Sequence, residues 1–134
     1  MSIEIDITDN TDQFLKDLES KKGRILEAIG ITAEAYAKML TPVGYSGRLR
    51  SSITHTVKDD AVYIGSDLHY APFVELGTGI YASDGHGRKS PWAYKDIKGK
   101  WHWTRGIKPH HMLKRAASEH SEEYRQIIET LLKD

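Results

Sequence analysis

Cysteine is absent from all 134 residues, which excludes a disulfide framework and any zinc site built on thiolates. No apolar run approaches the roughly 20 residues that a membrane-spanning helix requires. The first residues, Met1-Ser2-Ile3-Glu4-Ile5-Asp6, lack a basic stretch followed by an apolar one, so no export signal is expected and the chain reads as cytosolic. Net charge is missing as well: 19 lysines and arginines balance 19 aspartates and glutamates, which removes the simplest argument for nucleic-acid binding. Internal repeats and low-complexity tracts are lacking. With 39% hydrophobic and 28% charged residues, the composition suits one folded domain over residues 1–134 rather than a disordered chain.

The familiar catalytic patterns are missing too. Gly85, Gly87, Arg88, Lys89 and Ser90 hint at a phosphate loop, but arginine separates the glycine from Lys89 and no strand leads in. Serines 46, 51 and 52 stand in no Gly-x-Ser-x-Gly elbow. No two carboxylates share an apolar setting that would split their acidities. A metal-dependent hydrolase would have to rest on His102, His110, His111 and His120. Adjacent histidines on a helix point about 100° apart, and the His-Glu-x-x-His spacing is absent. The simpler reading is a polar helix start at His110 and His111, with His120 filling a core position. No catalytic site, metal site or cofactor is expected.

What is present is a clear alternation of periods. Ile3, Ile5 and Ile7 alternate with Ser2, Glu4 and Asp6, predicting a half-buried strand over residues 2–7. Thr8-Asp9-Asn10-Thr11 offers N-caps. Phe14, Leu18, Lys22, Ile25, Ile29, Ala33, Tyr36 and Leu40 then recur every three or four residues, as in an amphipathic helix of about 30 residues. Pro42 ends it, and Ser46 suits the cap of a single turn holding Leu49 and Ile53. Residues 53–57 and 61–65 read as a hairpin with Val62 and Ile64 facing the core. Pro72 and Gly77 bracket a short helix of Phe73, Val74 and Leu76.

Residues 79–90 form a long loop with three glycines. Trp92-Ala93-Tyr94 and Trp101-His102-Trp103 then predict a second, aromatic hairpin. A last helix is expected from about Pro109, with a stripe running from Leu113 to Leu131. The fold class is α+β: two long amphipathic helices packed on a small antiparallel sheet with β-hairpins.

Charge is segregated along this plan. Residues 1–20 hold Glu4, Asp6, Asp9, Asp12, Asp17 and Glu19 against Lys16, while residues 84–115 are rich in lysine and arginine. Such a dipole could orient neighbouring copies head to tail or touch a phosphate backbone; two solvated surfaces would look the same. Glu75 stands between Val74 and Leu76, where a lone carboxylate is costly to bury. Arg48 or Arg50 is the expected partner, pinning the turn after Pro72 to the turn after Ser46.

Three blocks carry a resemblance: Thr41-Pro42-Val43 with Gly47-Arg48-Leu49 and Ile53; Tyr70-Ala71-Pro72 with Val74-Glu75 and Gly77-Thr78; and Thr104-Arg105-Gly106 leading to Pro109, Leu113 and Ala116. In this order and spacing they resemble the minor tail components of tailed phages, typified by gene product ten of the Hong Kong lambdoid phage. Two positions depart from that pattern: Ser46 where threonine is usual, and His111-Met112 where proline and phenylalanine are usual.

The resemblance implies a structural virion protein of tail completion or head–tail joining, not an enzyme. It implies a homo-oligomeric ring, commonly six-fold, that meets the tail tube protein and the head connector or neck protein. Such a protein would assemble in the cytoplasm of the bacterial host and end in the virion tail or neck. Tyr81, Arg88, Lys89, Trp92, Trp101 and Trp103 are the candidate interface, since aromatics and arginine are what interface cores favour. Alternatively, the tryptophans cover the domain's own sheet. A DNA-contacting module using residues 88–115 is the second functional reading, and the histidine hydrolase is the third.

Overall fold

A computed structural model describes residues 7–44 and 47–134, with the backbone alone for residues 7–11. Along these residues run helix α1 (Ile7–Leu40), a one-turn helix α2 (Arg48–Ser52), strands β1 (Thr54–Lys58) and β2 (Ala61–Gly65), and helix α3 (Ala71–Leu76). A 3-10 turn (Gly79–Tyr81), strands β3 (Trp92–Lys95) and β4 (Trp101–Thr104), and helices α4 (Met112–Ser118) and α5 (Ser121–Leu132) follow. The class is α+β, as expected, but the strands form two separate two-stranded antiparallel sheets, β1–β2 and β3–β4, not one.

Helix α1 is 34 residues long and passes through Gly23 and Gly30 as one element. It also takes in Ile7 and all four residues 8–11 that were expected to cap it. Once a helix is nucleated, each added residue gains a hydrogen bond, so it continues where the sequence allows. The remainder of the predicted N-terminal strand, residues 2–6, lies outside the described residues, as does the Ser46 cap. At the other end Thr41 closes the helix. Its hydroxyl donates to the Ala37 carbonyl at 2.6 Å and lies 3.2 Å from the Met112 sulfur, fully buried.

The core forms around that corner. Ala37, Leu49, Ile53, Ala71, Met112 and Ala116 are buried together, with Tyr36, Leu40, Ile64, Leu68, Val74 and Leu113 packed around them. The β1–β2 hairpin lies along α1, in the register Thr54↔Gly65 to Lys58↔Ala61. Val62 and Ile64 turn inward and Tyr63 outward, the alternation that a one-sided strand demands. At the hairpin tip Lys22 of α1 reaches Asp60 at 2.5 Å.

One predicted element is broken in two. Instead of a single C-terminal helix, α4 ends at Ser118 and α5 starts at Ser121, because His120 leaves helical geometry (φ −120°, ψ 26°). In that position its ring lies flat on Tyr36, with centroids 3.4 Å apart. Tyr124 then donates its hydroxyl to the Ala116 carbonyl at 2.6 Å, fixing the angle between the two helices. Among the described residues no helix is long and apolar enough to cross a membrane.

Candidate functional site

The second hairpin and the loop before it are held to the core by a clasp between residues 74–83 and 105–114. Thr78 N–H donates to the Ile107 carbonyl, and Ile107 N–H donates to the Thr78 hydroxyl, both at 2.9 Å. Ile80 N–H reaches the Arg105 carbonyl at 3.0 Å, and His110 N–H reaches the Val74 carbonyl at 2.9 Å. The two strands of backbone meet so closely that side chains have no room. A Cβ on Gly79 would lie 1.9 Å from the Arg105 oxygen, and one on Gly106 would lie 2.0 Å from the Thr78 oxygen. Both glycines also have positive φ, 61° and 136°, which other residues rarely adopt.

Glu75 completes the clasp, and its partner corrects the sequence expectation. Among the described residues it forms no ion pair with Arg48 or Arg50. Its carboxylate instead accepts the backbone N–H groups of Leu113 at 2.8 Å and Lys114 at 3.0 Å. These are free donors in the first turn of α4, where the helix dipole also favours a negative charge. His111, at the position before α4, has a left-handed backbone (φ 47°) and makes no capping bond with its own side chain; Glu75 supplies the acceptor from α3. Arg50 turns the other way and donates to the Thr41 carbonyl at 2.9 Å, bracing the end of α1.

The other motif residues are structural as well. Leu49 is buried, Leu113 packs on the core, and Gly47 starts α2 in a left-handed conformation. Tyr70 and Pro72 begin α3, and Gly77 ends it with Pro109 packed where its Cβ would be. Pro42 and Arg48 lie on the surface beside the α1–α2 corner.

The six candidate interface residues divide into two sets. Arg88 and Trp92 line a cleft of about 410 Å³ with Pro72, Phe73 and Leu76, and the Arg88 guanidinium sits 5.7 Å from the Trp92 ring centroid. Lys89 lies beside them, tied to the Gly85 carbonyl at 3.1 Å, and Tyr81 carries the Lys108 ammonium over its ring at 5.9 Å. Trp101 and Trp103 are elsewhere. They share one face of β3–β4 with Ala93 and Lys95, opposite Tyr94, which stacks on His102. That face is bare: Trp101 is 65% exposed and Trp103 77%. None of the helices packs extensively on this hairpin, so these two rings do not cover the chain's own sheet.

The histidines are dispersed. His102 pairs with Asp96 at 2.7 Å, and His120 is the stacked ring on Tyr36. His55, which sequence reasoning did not single out, holds β1 to α1. Its Nε2 meets Glu27 at 2.7 Å and its Nδ1 meets Glu34 at 3.2 Å. A hydrogen bond to Glu27 raises its pKa, and Glu34 adds to this against the effect of burial. Burial opposes the ionised form of Glu34, but hydrogen bonds from His55 and Lys38 outweigh it and its pKa is lowered. A glycine in a helix face opposite a bulky strand residue was the available signal. The Gly30 position leaves the space that the His55 ring fills. Among the described residues no group of three histidine or carboxylate side chains stands close enough to hold a metal ion.

A family model matches residues 5–77: HK97-gp10_like, described as "Bacteriophage HK97-gp10, putative tail-component". The match ends one residue before the Thr78 contacts of the clasp, so the resemblance read from Thr78 to Ala116 extends past it. No curated protein matches the chain, and no solved structure does.

Proposed function

The chain belongs to the HK97-gp10-like family of phage tail components, and from that premise we propose that it acts at the end of the tail, in tail completion or head–tail joining, as a closed ring capping the tail tube. In this reading the copies assemble in the cytoplasm of the bacterial host and remain in the tail or neck of the virion. One side of the ring meets the tail tube protein and the other the head connector or neck protein, and six-fold symmetry would match the tube.

The observation that carries the proposal is the bare Trp101–Trp103 face of a hairpin on which no helix packs extensively. A two-stranded hairpin is marginal in water unless its apolar face packs on something. Exposed aromatic patches of this kind mark protein contacts. The clasp fixes where that face points without spending the aromatic rings on the fold. The remaining motif residues stabilise the clasp and the α1–α2 corner, which is the work of a scaffold.

Light scattering across a concentration series, with and without the purified tail tube protein, tests this. The expected result is a closed assembly of about six copies, formed alone or on the tube. A chain that stays monomeric and ignores the tube would overturn the ring. Binding to DNA that falls steeply with salt would favour the reading in which residues 88–115 contact a phosphate backbone.

A further inference from the structure

We infer that the bare face of β3–β4 in one copy docks on the exposed first half of α1 in the next, head to tail; this rests on the ring proposed above and names its two contacting surfaces. Among the described residues, the hairpin and the start of α1 each present uncovered apolar side chains, on separate surfaces. One is the hairpin face with Trp101 and Trp103. The other is α1 before Ser20, where every described side chain is exposed, including Phe14 (61%), Leu15 (55%) and Leu18 (38%). The amphipathic stripe of α1 therefore runs on for several turns beyond the core that buries its second half. Residues 7–20 span ~21 Å at ~1.5 Å per residue, long enough to receive a four-residue strand pair and its turn.

Charge decides the pairing. Before Ser20 the described side chains of α1 include Asp12, Asp17 and Glu19 against Lys16, with Glu19 also paired to Lys22 at 3.1 Å. The hairpin carries Lys95, Lys98 and Lys100, all exposed. Its single acid, Asp96, is turned inward: one carboxylate oxygen accepts the N–H groups of Lys98 and Lys100 at 2.9 and 2.8 Å, and the other meets His102 at 2.7 Å. What the hairpin presents outward is thus wholly positive, beside tryptophan. Helix against helix or hairpin against hairpin would set like charges together, which costs several kcal/mol across an interface. Hairpin against helix joins opposite charges and covers both apolar surfaces. Such a contact uses two different patches, so it propagates from copy to copy and closes into a ring when the rotation permits.

The test is charge reversal, read by light scattering under the condition in which the wild-type chain assembles, alone or on the tail tube. Asp12→Lys with Asp17→Lys should raise the concentration needed for assembly about tenfold or more, and Lys95→Glu with Lys98→Glu should do the same. All four changes in one chain should restore assembly toward the wild-type value. Trp101→Ser with Trp103→Ser should abolish assembly while leaving the thermal melt near that of the wild type. If the chain assembles but either reversal leaves that unchanged, or the fourfold variant folds and stays apart, the pairing is wrong and the ring stands on some other contact. If the wild-type chain is monomeric with and without the tube, the ring itself falls, and the pairing with it.

Discussion

Two glycines of α1, seven residues apart, should respond to alanine with opposite signs. Alanine is about 1 kcal/mol better than glycine inside a helix, so each change begins with that gain. At Gly23 nothing lies within 4 Å of the new methyl group, and the gain should appear as measured stability. At Gly30 the methyl carbon would lie 2.4 Å from His55 Cδ2, 2.9 Å from Cγ and 3.2 Å from the Val62 methyl. The ring must leave, and with it go the hydrogen bonds to Glu27 and Glu34. Charge-assisted bonds of this kind contribute about 1.5–3 kcal/mol each, less where a partner is half-exposed as Glu27 is. A combined loss of about 2–4 kcal/mol against a gain of about 1 leaves Gly30→Ala destabilised by roughly 1–3 kcal/mol.

Urea unfolding measures both variants, with the slope m unchanged if the native and denatured states stay the same. In a His55→Ala background the penalty should shrink sharply, since only the tight contact with Val62 remains. If Gly30→Ala is stabilised as much as Gly23→Ala, His55 does not pack against α1 as described and the reasoning fails.

Glu75→Ala strips the cap from α4 and should cost about 2 kcal/mol in chemical unfolding, whereas an alanine at exposed Glu129 should change stability by less than about 0.5. His55 predicts a pH dependence: only the imidazolium donates to both carboxylates, and its folded pKa is raised above the unperturbed value of about 6.5. The stabilisation should be complete below about pH 6.5 and decline as pH rises through the higher folded value. His55→Gln should remove that part of the slope, and an identical slope in the variant would refute it. Tyr124→Phe should loosen the α4–α5 angle and lower stability by about 1 kcal/mol, as a half-buried hydroxyl bond is lost.

Elements set by local pattern were legible in the sequence, and contacts set by distant partners were not. The β1–β2 and β3–β4 hairpins follow from alternation and turn residues, and the end of α1 follows from Pro42. The interruption at His120 does not show in the periodicity of α4 and α5, because its cause is a ring on Tyr36, far back in the chain. Glu75 illustrates the boundary well. Its apolar setting announced that the carboxylate needs donors, yet arginine side chains and free helix N–H groups satisfy it equally well in local terms. The stripe of α1 was read correctly as apolar from Phe14 to Leu40, but periodicity cannot tell a face buried within the chain from one left bare. The two sets of interface residues were likewise inseparable until the pleat of β4 placed Trp101 and Trp103 on one side.

The clasp also divides the chain into a packed body and an arm. Because Thr78 and Ile107 are bonded to each other, everything between them leaves the core and returns at one point. A segment with its ends tied in this way can change length or sequence at little cost to the rest, since closing a longer loop adds only slowly to the entropy lost. The family match stops at residue 77, at the threshold of that segment. Residues 79–106 can therefore be lengthened or shortened while the helices on either side keep their packing, as a handle keeps its grip when the tool head is changed.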